Sequence, residues 1–366
     1  MLESDIKPHS QRAGLIHIAS LIIWDEAPMA NKAVLECVDN ILQKIMKTNE
    51  PFGGKVVLLS GDFRQTCPVI PNGSREDIVD ASIRSSYLWP TFQIYRLTIP
   101  IRQAEDEELR LYLDKIGEDA LQKVPIEYLR TCYSTLDLID FVFPQDILAD
   151  PFRCVSRSIL CPTNRQVDLY NKELLKRIVG QERNYLSADS IKEAIDAGVI
   201  TPDGYIDYHK VNTPPGLPPH NLLLKVNGVY RLMRNISVDR GLVKNCRVIV
   251  KTLGSSVISV QVITKNGALP EEVILLRITF TYSIPGSGFT LCRRQFPLAP
   301  AYATTFNSCQ GLTLDKVGVD ATNPVFSHGQ LYTALSRIRK REDGMLRVRR
   351  TATSVENVTF PELLCL

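Results

Sequence analysis

The 366-residue chain (41.1 kDa) is 44% apolar and 23% charged, which excludes wholesale disorder and suits two or three domains that fold without disulfide staples. Its nine cysteines are odd in number and contain no C-x-x-C pair, arguing against a disulfide framework or a structural zinc module. Net charge is +3, yet residues 226–350 hold 18 Lys and Arg against 7 Asp and Glu, an excess of +11 that leaves −8 for the rest; so basic a half hints at a polyanionic partner, while composition alone favours a solvated surface.

The opening MLESDIKPHSQRAG is polar and charged, unlike a secretory signal, and no eighteen-residue apolar stretch predicts a membrane span. Residues 15–24 (LIHIASLIIW) form an apolar run that stops at Asp25-Glu26, and 56–59 (VVLL) form another that stops at Ser60-Gly61-Asp62. Short apolar runs ending in polar residues predict buried parallel strands. Between them Val34, Val38, Ile41, Leu42 and Ile45 recur at helical spacing, giving a strand–helix–strand unit of an α/β sheet. Residues 92–98 (FQIYRLT) read as a further strand. Residues 105–116 read as an amphipathic helix with Leu109, Tyr112, Leu113 and Ile116 on one face.

A second α/β pattern starts near Arg153. Residues 158–161 predict a strand, and Thr163 with Gln166 has capping-box spacing before a helix bearing Val167, Tyr170 and Leu174. Residues 200–220, rich in Pro, Gly and Asn, read as a loop. Residues 222–282 are β-branched runs separated by Gly and Asn, predicting a small barrel or curled sheet. A strand ends at 317–320 (VGVD). Ser327 and Gln330 have capping-box spacing for a last helix over about 328–338, with Leu331, Leu335 and Ile338 on one face.

Asp25-Glu26 at a strand's carboxyl end lies where open α/β sheets place their ligands. One carboxylate there can hold Mg²⁺ and the other polarise a water. Gln65 follows the second strand end and can hydrogen-bond a γ-phosphate or its water; Arg102 and Arg337 can each reach a phosphate oxygen. Taken singly, each is also what a plain strand end or surface arginine looks like. Five scattered histidines (His9, His17, His209, His220, His328) lack ligand spacing, and no G-x-S-x-G elbow is present, which speaks against an unrelated hydrolase or metal protein.

Together the segments LIIWDEAPM (21–29), GDFRQTCPVIP (61–71), LTIPIRQ (97–103), CPTNRQVDLYN (161–171), YLSADS (185–190), GLPPHNLLLKVNGVYRLMRNI (216–236), RRQFPLAPAYATTFNSCQG (293–311) and FSHGQLYTALSRI (326–338) resemble, in order and spacing, the Pif-type (petite integration frequency) DNA helicases of superfamily one, branch B. The likeness is greatest to the helicase part of Helitron-like transposon proteins. It implies an α/β fold of two RecA-like motor domains, the first incomplete at its N-terminus, with a small β-barrel inserted in the second. The implied organisation is residues 1–104 for the end of the first motor domain, 105–150 for a helical connector, 151–221 for the start of the second, 222–290 for the barrel and 291–366 for the remainder.

The resemblance also implies roles. Asp25 would hold Mg²⁺ and Glu26 activate water. Gln65 would sense the γ-phosphate, with Arg102 and Arg337 reaching it across the cleft between the motor domains, and Gln310 and Gly311 completing the ATP site. Thr163, Asn164, Asn307, Ser308 and His328 would contact DNA, and residues 307–311 would couple that contact to the nucleotide. The implied activity is ATP-dependent 5′→3′ DNA unwinding, in repair, recombination, telomere maintenance or Helitron transposition. The implied cofactors are ATP and Mg²⁺, and the partners single-stranded DNA and duplex junctions. A monomer without membrane attachment is expected, in the nucleus first and the mitochondrion second.

Three features depart from that family. No G-x-x-x-x-G-K-[ST] (Walker A) loop is present, so the chain reads as one that starts after the first motifs. Ser308-Cys309 replaces a basic residue and a serine, and Pro100 interrupts LTIPIRQ. An ATPase-dead, DNA-binding remnant of such a helicase is the alternative.

Overall fold

The computed structural model describes residues 2–99, 101–118, 122–193, 204–264, 267–284 and 288–364. Pro100 and most of the front of the 200–220 stretch lie outside them. The chain forms two compact units: Met1–Tyr133 with Phe306–Thr313 and Val319–Leu366, and Ser134–Thr305 with Leu314–Gly318. The chain passes between them within the strand Lys316–Asp320.

In the first unit, strands β1 (Leu21–Trp24) and β2 (Val56–Leu59) pair in parallel, with Leu21 opposite Val56 and Trp24 opposite Leu59. Helix α2 (Lys32–Met46) crosses between them, capped by Asn31, whose side chain accepts the Ala33 amide. One sheet face (Ile22, Trp24, Val57, Leu59) packs on Leu35, Leu42 and Phe52. The other face leaves Leu21, Ile23, Val56 and Leu58 about half exposed or more. Asp39 of α2 is fully buried and accepts from the Phe52 amide at 2.6 Å and from the Tyr87 hydroxyl at 2.9 Å. Burial, then the nearby Asp39 carboxylate, push the Tyr87 phenol up to about 12.

The expected strand over 15–24 is shorter than its apolar run. Residues Gln11–Ile18 form helix α1, started by Ser10, whose hydroxyl accepts the Ala13 amide. Ala13 and Ile16, three apart, face Ile41 and Ile45 of α2, so a helical period was hidden inside a run that length alone reads as strand. The expected strand at 92–98 has strand chemistry but no ladder: it is irregular, with Leu97 wholly exposed. Helix α3 (Arg75–Ala81) carries a reciprocal Ser74–Asp77 capping box. Helix α4 (Glu107–Gly117) matches the predicted face, burying Leu109, Tyr112, Leu113 and Ile116.

Also in this unit, the strand Gly344–Arg347 runs parallel to Arg130–Cys132. The helix Gln330–Leu335 begins not with a Ser327 cap but with Gly329 at φ +69. The Gln330 side chain still reaches back, its Oε1 accepting the Phe326 and Ser327 amides. Only that half of the expected capping box forms, because a left-handed glycine already reverses the chain there.

In the second unit, Arg157–Cys161 pairs in parallel with Ala303–Thr305. The helix Asn164–Arg177 follows, capped by Thr163, whose hydroxyl accepts the Gln166 amide. Asn171 pins it to the strand by accepting the Tyr302 and Ala303 amides. The region read as a small barrel holds a five-stranded antiparallel sheet in the order Gly267–Leu276, Val257–Thr264, Arg247–Leu253, Val229–Leu232, Leu298–Pro300. A three-stranded antiparallel sheet joins Ile278–Ser283, Phe289–Gln295 and Ala188–Glu193. The β region thus draws strands from both sides of 222–290. In the stretch read as a loop, Tyr205–Val211 is a helix that starts at Gly204, φ +91.

Among the described residues no helix is long and apolar enough to cross a membrane, no three or more His, Cys, Asp or Glu cluster as a metal site, and the eight cysteines form no disulfide.

Candidate nucleotide site

The β1–β2 ladder continues one step past each strand. Ser60 donates its amide to Trp24 O and accepts the Ala27 amide, both at 2.9 Å. This sets Asp25 and Glu26 at the carboxyl end of the sheet. The Asp25 Oδ1 accepts from the Ser60 hydroxyl at 2.7 Å and the Glu26 amide at 3.0 Å. Glu26 adopts φ +52, ψ +35, a left-handed conformation uncommon for a residue with a Cβ and a signature of strain held at functional sites. At Gly61 a Cβ would lie 2.3 Å from Pro28 Cδ, so only glycine lets the two strand ends close over each other.

Glu26 has a raised pKa. Partial burial and the adjacent Asp25 raise it, with Asp62 adding to them, while Arg337 and Arg102 pull the other way. A more basic carboxylate takes a proton from water more readily.

Gln65, Gln310 and Arg337 meet directly. Gln65 Oε1 accepts from Gln310 Nε2 at 3.3 Å and from Arg337 Nη2 at 3.4 Å. Arg337, only 2% exposed, also donates to Thr333 O and Ser336 Oγ, each at 3.2 Å. Arg102 donates to Ser336 O at 3.1 Å, and Gln103 fixes the same turn by donating to Ser336 O and Ile338 O. Burial, then Arg337 and Arg339, lower the pKa of Arg102. Arg337 was expected on the second motor domain, facing the carboxylates across a cleft; by contacts it belongs to the same compact unit as Asp25 and Glu26.

Asn307 accepts from Gln330 Nε2 at 3.1 Å, so residues 307–310 touch the helix Gln330–Leu335 at one end and Gln65 at the other. Ser308 is exposed, and Gly311 follows at φ +73 with open space around its Cα. Cys309 is fully buried, which pushes its thiol up to about 12. His328, expected to touch DNA, is instead completely buried with both ring nitrogens hydrogen-bonded inside the fold, so it has no surface to offer a phosphate. In the second unit Thr163 spends its hydroxyl on the helix cap, donating to Gln166 Oε1, and Asn164 is exposed at the first turn.

Sequence reasoning missed the frame around Gln65. Asp62 accepts from Arg64 and from the Tyr332 hydroxyl at 3.0 Å, and Arg64 bonds Asp114 at 3.0 Å and lies over the Tyr332 ring. Burial would lower the Arg64 pKa, but Asp62, Tyr332 and Asp114 raise it. Tyr332 is raised by its own burial and the Asp62 charge. Gly61-Asp62 after an apolar run was the available signal for Asp62; nothing local marks Tyr332 or Asp114.

The fit of a magnesium nucleotide can be tested on these contacts. Among the described residues neither Arg102 nor Arg337 has a carboxylate within ion-pair distance, and the buried Gln310 Oε1 has no hydrogen bond. A buried Arg337 guanidinium repelled by Arg102, beside an unpartnered Gln310 carbonyl, is what a polyphosphate would satisfy.

The scaffold that carries this carboxylate pair, glutamine and two arginines is a RecA-like α/β fold. Residues 1–119 match the family model described as PIF1-like helicase. The chain is 28% identical over 352 residues to the ATP-dependent DNA helicase PIF1 of Danio rerio, covering 91% of this chain and 47% of that protein. It superposes on Bacteroides Pif1, solved with ADP-AlF3 and single-stranded DNA, with a TM-score of 0.67 and 24% identity over 100% of this chain and 76% of that one. A structure of two Pif1 helicases on forked double-stranded DNA aligns with a TM-score of 0.67 and 25% identity over 94% and 73%. These similarities liken the chain to the Pif1-type helicases, the family model covering its first third. It spans about half the length of the curated relatives it matches.

Proposed function

We propose that this chain works as an ATP-dependent 5′→3′ DNA helicase, unwinding and translocating along DNA. The observation that carries this is the convergence of Glu26, Gln65, Arg102, Gln310 and Arg337, with two arginines lacking carboxylate partners. Asp25, steadied by Ser60, would hold Mg²⁺. Glu26 would accept a proton from the attacking water, and the Gln65 amide would orient it. Arg102 and Arg337 would neutralise charge developing on the phosphoryl oxygens. When bound, the magnesium nucleotide supplies the γ-phosphate whose release changes what these side chains hold.

Single-stranded DNA and duplex junctions are the inferred partners, met by Thr163, Asn164, Asn307 and Ser308 and by the basic 226–350 stretch. We place the chain by family in the Helitron-like branch, acting as a monomer in repair, recombination, telomere maintenance or transposition, in the nucleus or the mitochondrion. A second reading, DNA binding without turnover, rests on the basic 226–350 stretch, whose excess of Lys and Arg would hold phosphates without a nucleotide.

One assay separates the two. ATP hydrolysis is measured with and without single-stranded DNA beside Glu26→Gln. The helicase reading expects DNA-stimulated turnover that the substitution lowers by about 10²–10⁴. No turnover with salt-sensitive DNA binding intact selects the second reading.

A further inference from the structure

We infer that His328 is a positioning residue, not a DNA contact: it ties the C-terminal strap at 357–364 to the loop that carries Gln65. The proposal rests on the nucleotide-site reading of Gln65. Its hydrogen-bond pattern fixes the tautomer. The Phe360 amide donates to Nδ1 at 2.8 Å, so Nδ1 bears the lone pair and Nε2 the proton, which is donated to Phe63 O at 2.7 Å. The ring also stacks on the Phe360 ring, centroids 5.4 Å apart.

Three successive contacts then seat the Phe63–Thr66 loop on one turn. His328 holds the Phe63 carbonyl. Gly329 lets the backbones of Arg64 and Gln65 approach so closely that a Cβ there would lie 2.5 Å from Arg64 O. Thr333 Oγ1 accepts the Thr66 amide at 3.1 Å. Gln65 lies in the middle, its Oε1 held against Gln310 and Arg337.

The strap on the far side of the ring is itself anchored. Gly329 donates its amide to Val358 O at 3.0 Å, and Asn357 donates to Ile116 O at 2.9 Å. Arg84 donates to Leu363 O, and Arg75 forms a two-pronged pair with Glu362 at 2.8 and 2.9 Å. Phe360 and Leu363 pack with Cys67, just beyond the loop. The histidine is the rivet between these parts. Moving the Phe63 carbonyl moves Gln65, and with it the geometry of the phosphate sensor.

Two variants divide the ring's two bonds. H328Q places an amide donor near the position of Nε2 and keeps the bond to Phe63. H328N places an acceptor near the position of Nδ1 and keeps only the bond to Phe360. The readout is amide hydrogen exchange at Arg64, Gln65 and Thr66, all hydrogen-bonded in the wild-type chain, with helix Lys32–Met46 as internal reference. We expect H328N to exchange at least about tenfold faster at these amides and H328Q to stay within about twofold of wild type. The salt slope of single-stranded DNA binding should be unchanged in both.

Unchanged loop exchange in both variants overturns the proposal. So does equal acceleration of loop and reference helix in both, which makes the ring a fold support only. A salt slope lower by about one restores the DNA-contact role. Exchange does not need ATP turnover, so an inactive wild-type chain would sink the helicase reading while leaving the placement of His328 decided.

Discussion

Two buried arginines, Arg293 in one unit and Arg337 in the other, are 0% and 2% exposed and yet opposite in kind. Arg293 is saturated. Its Nε and Nη2 grip Asp189 at 3.0 and 2.7 Å, and the remaining donors reach Pro218 O and His209 O. Burial would raise the Asp189 pKa, but Arg293 and Ser187 hold it below its usual value. Arg337 has only neutral acceptors, two of them at 3.2 Å and one at 3.4 Å. The first arrangement is complete within the chain and holds strands together. The second keeps a charge out of water with no carboxylate in contact, only the Glu26 charge nearby, which makes sense for a ligand that brings its own.

The largest expected effect sharpens this contrast on the Arg337 side. Arg337→Ala should lower DNA-stimulated ATP turnover by about 10³–10⁵, while urea unfolding shows a smaller loss of stability than Arg293→Met, because only bonds to neutral acceptors are broken and no buried charge is stranded. A large loss of stability would make Arg337 another structural arginine. Next, Arg293→Met strands the buried Asp189 charge and should cost about 3–5 kcal/mol by urea unfolding. The double variant Arg293→Met/Asp189→Leu should recover most of it; equal losses in single and double variants would break the comparison. Smaller still, Thr163→Ala removes the cap of Asn164–Arg177 and should cost about 1 kcal/mol.

The smallest effect is a pH dependence. The folded pKa of Glu26 lies above its ordinary 4.5, so its contribution to stability is fully present below 4.5 and is lost as pH rises through the raised folded value. Glu26→Gln should therefore match wild type near pH 4 and gain on it toward pH 7, read as paired urea midpoints. A constant gap across that range would rule out Glu26 titration as its source.

Much of the site could be read from the chain because its parts sit at strand ends, where an apolar run and a polar stop are adjacent in sequence. That is how Asp25, Glu26 and Gln65 were singled out, and why α4 buries its whole predicted face while α2 buries Ile41, Leu42 and Ile45 but leaves Val34 exposed. The frame holding Gln65 was not legible: Tyr332 meets Asp62 and Thr333 meets Thr66 across some 270 residues, and such pairs leave no local pattern. His328 shows the same limit, since a motif names the residue but not which way its ring points. Helix α1 was lost because its helical period was read as a run, and Tyr205–Val211 because flanking prolines and glycines masked it.

The half-exposed face of the β1–β2 sheet has a consequence for how the molecule behaves in a tube. Leu21 sits directly across from Val56 and Ile23 from Leu58, so four aliphatic side chains form one continuous patch, and Leu97, Ile99 and Ile101 add further bare apolar surface. Parallel strands ordinarily keep both faces dry. This chain is therefore surface-active while fully folded: it should be retained on phenyl resin, brighten anilinonaphthalene dyes at neutral pH without loss of helical signal, and scatter more light as its concentration or the ammonium sulfate level rises.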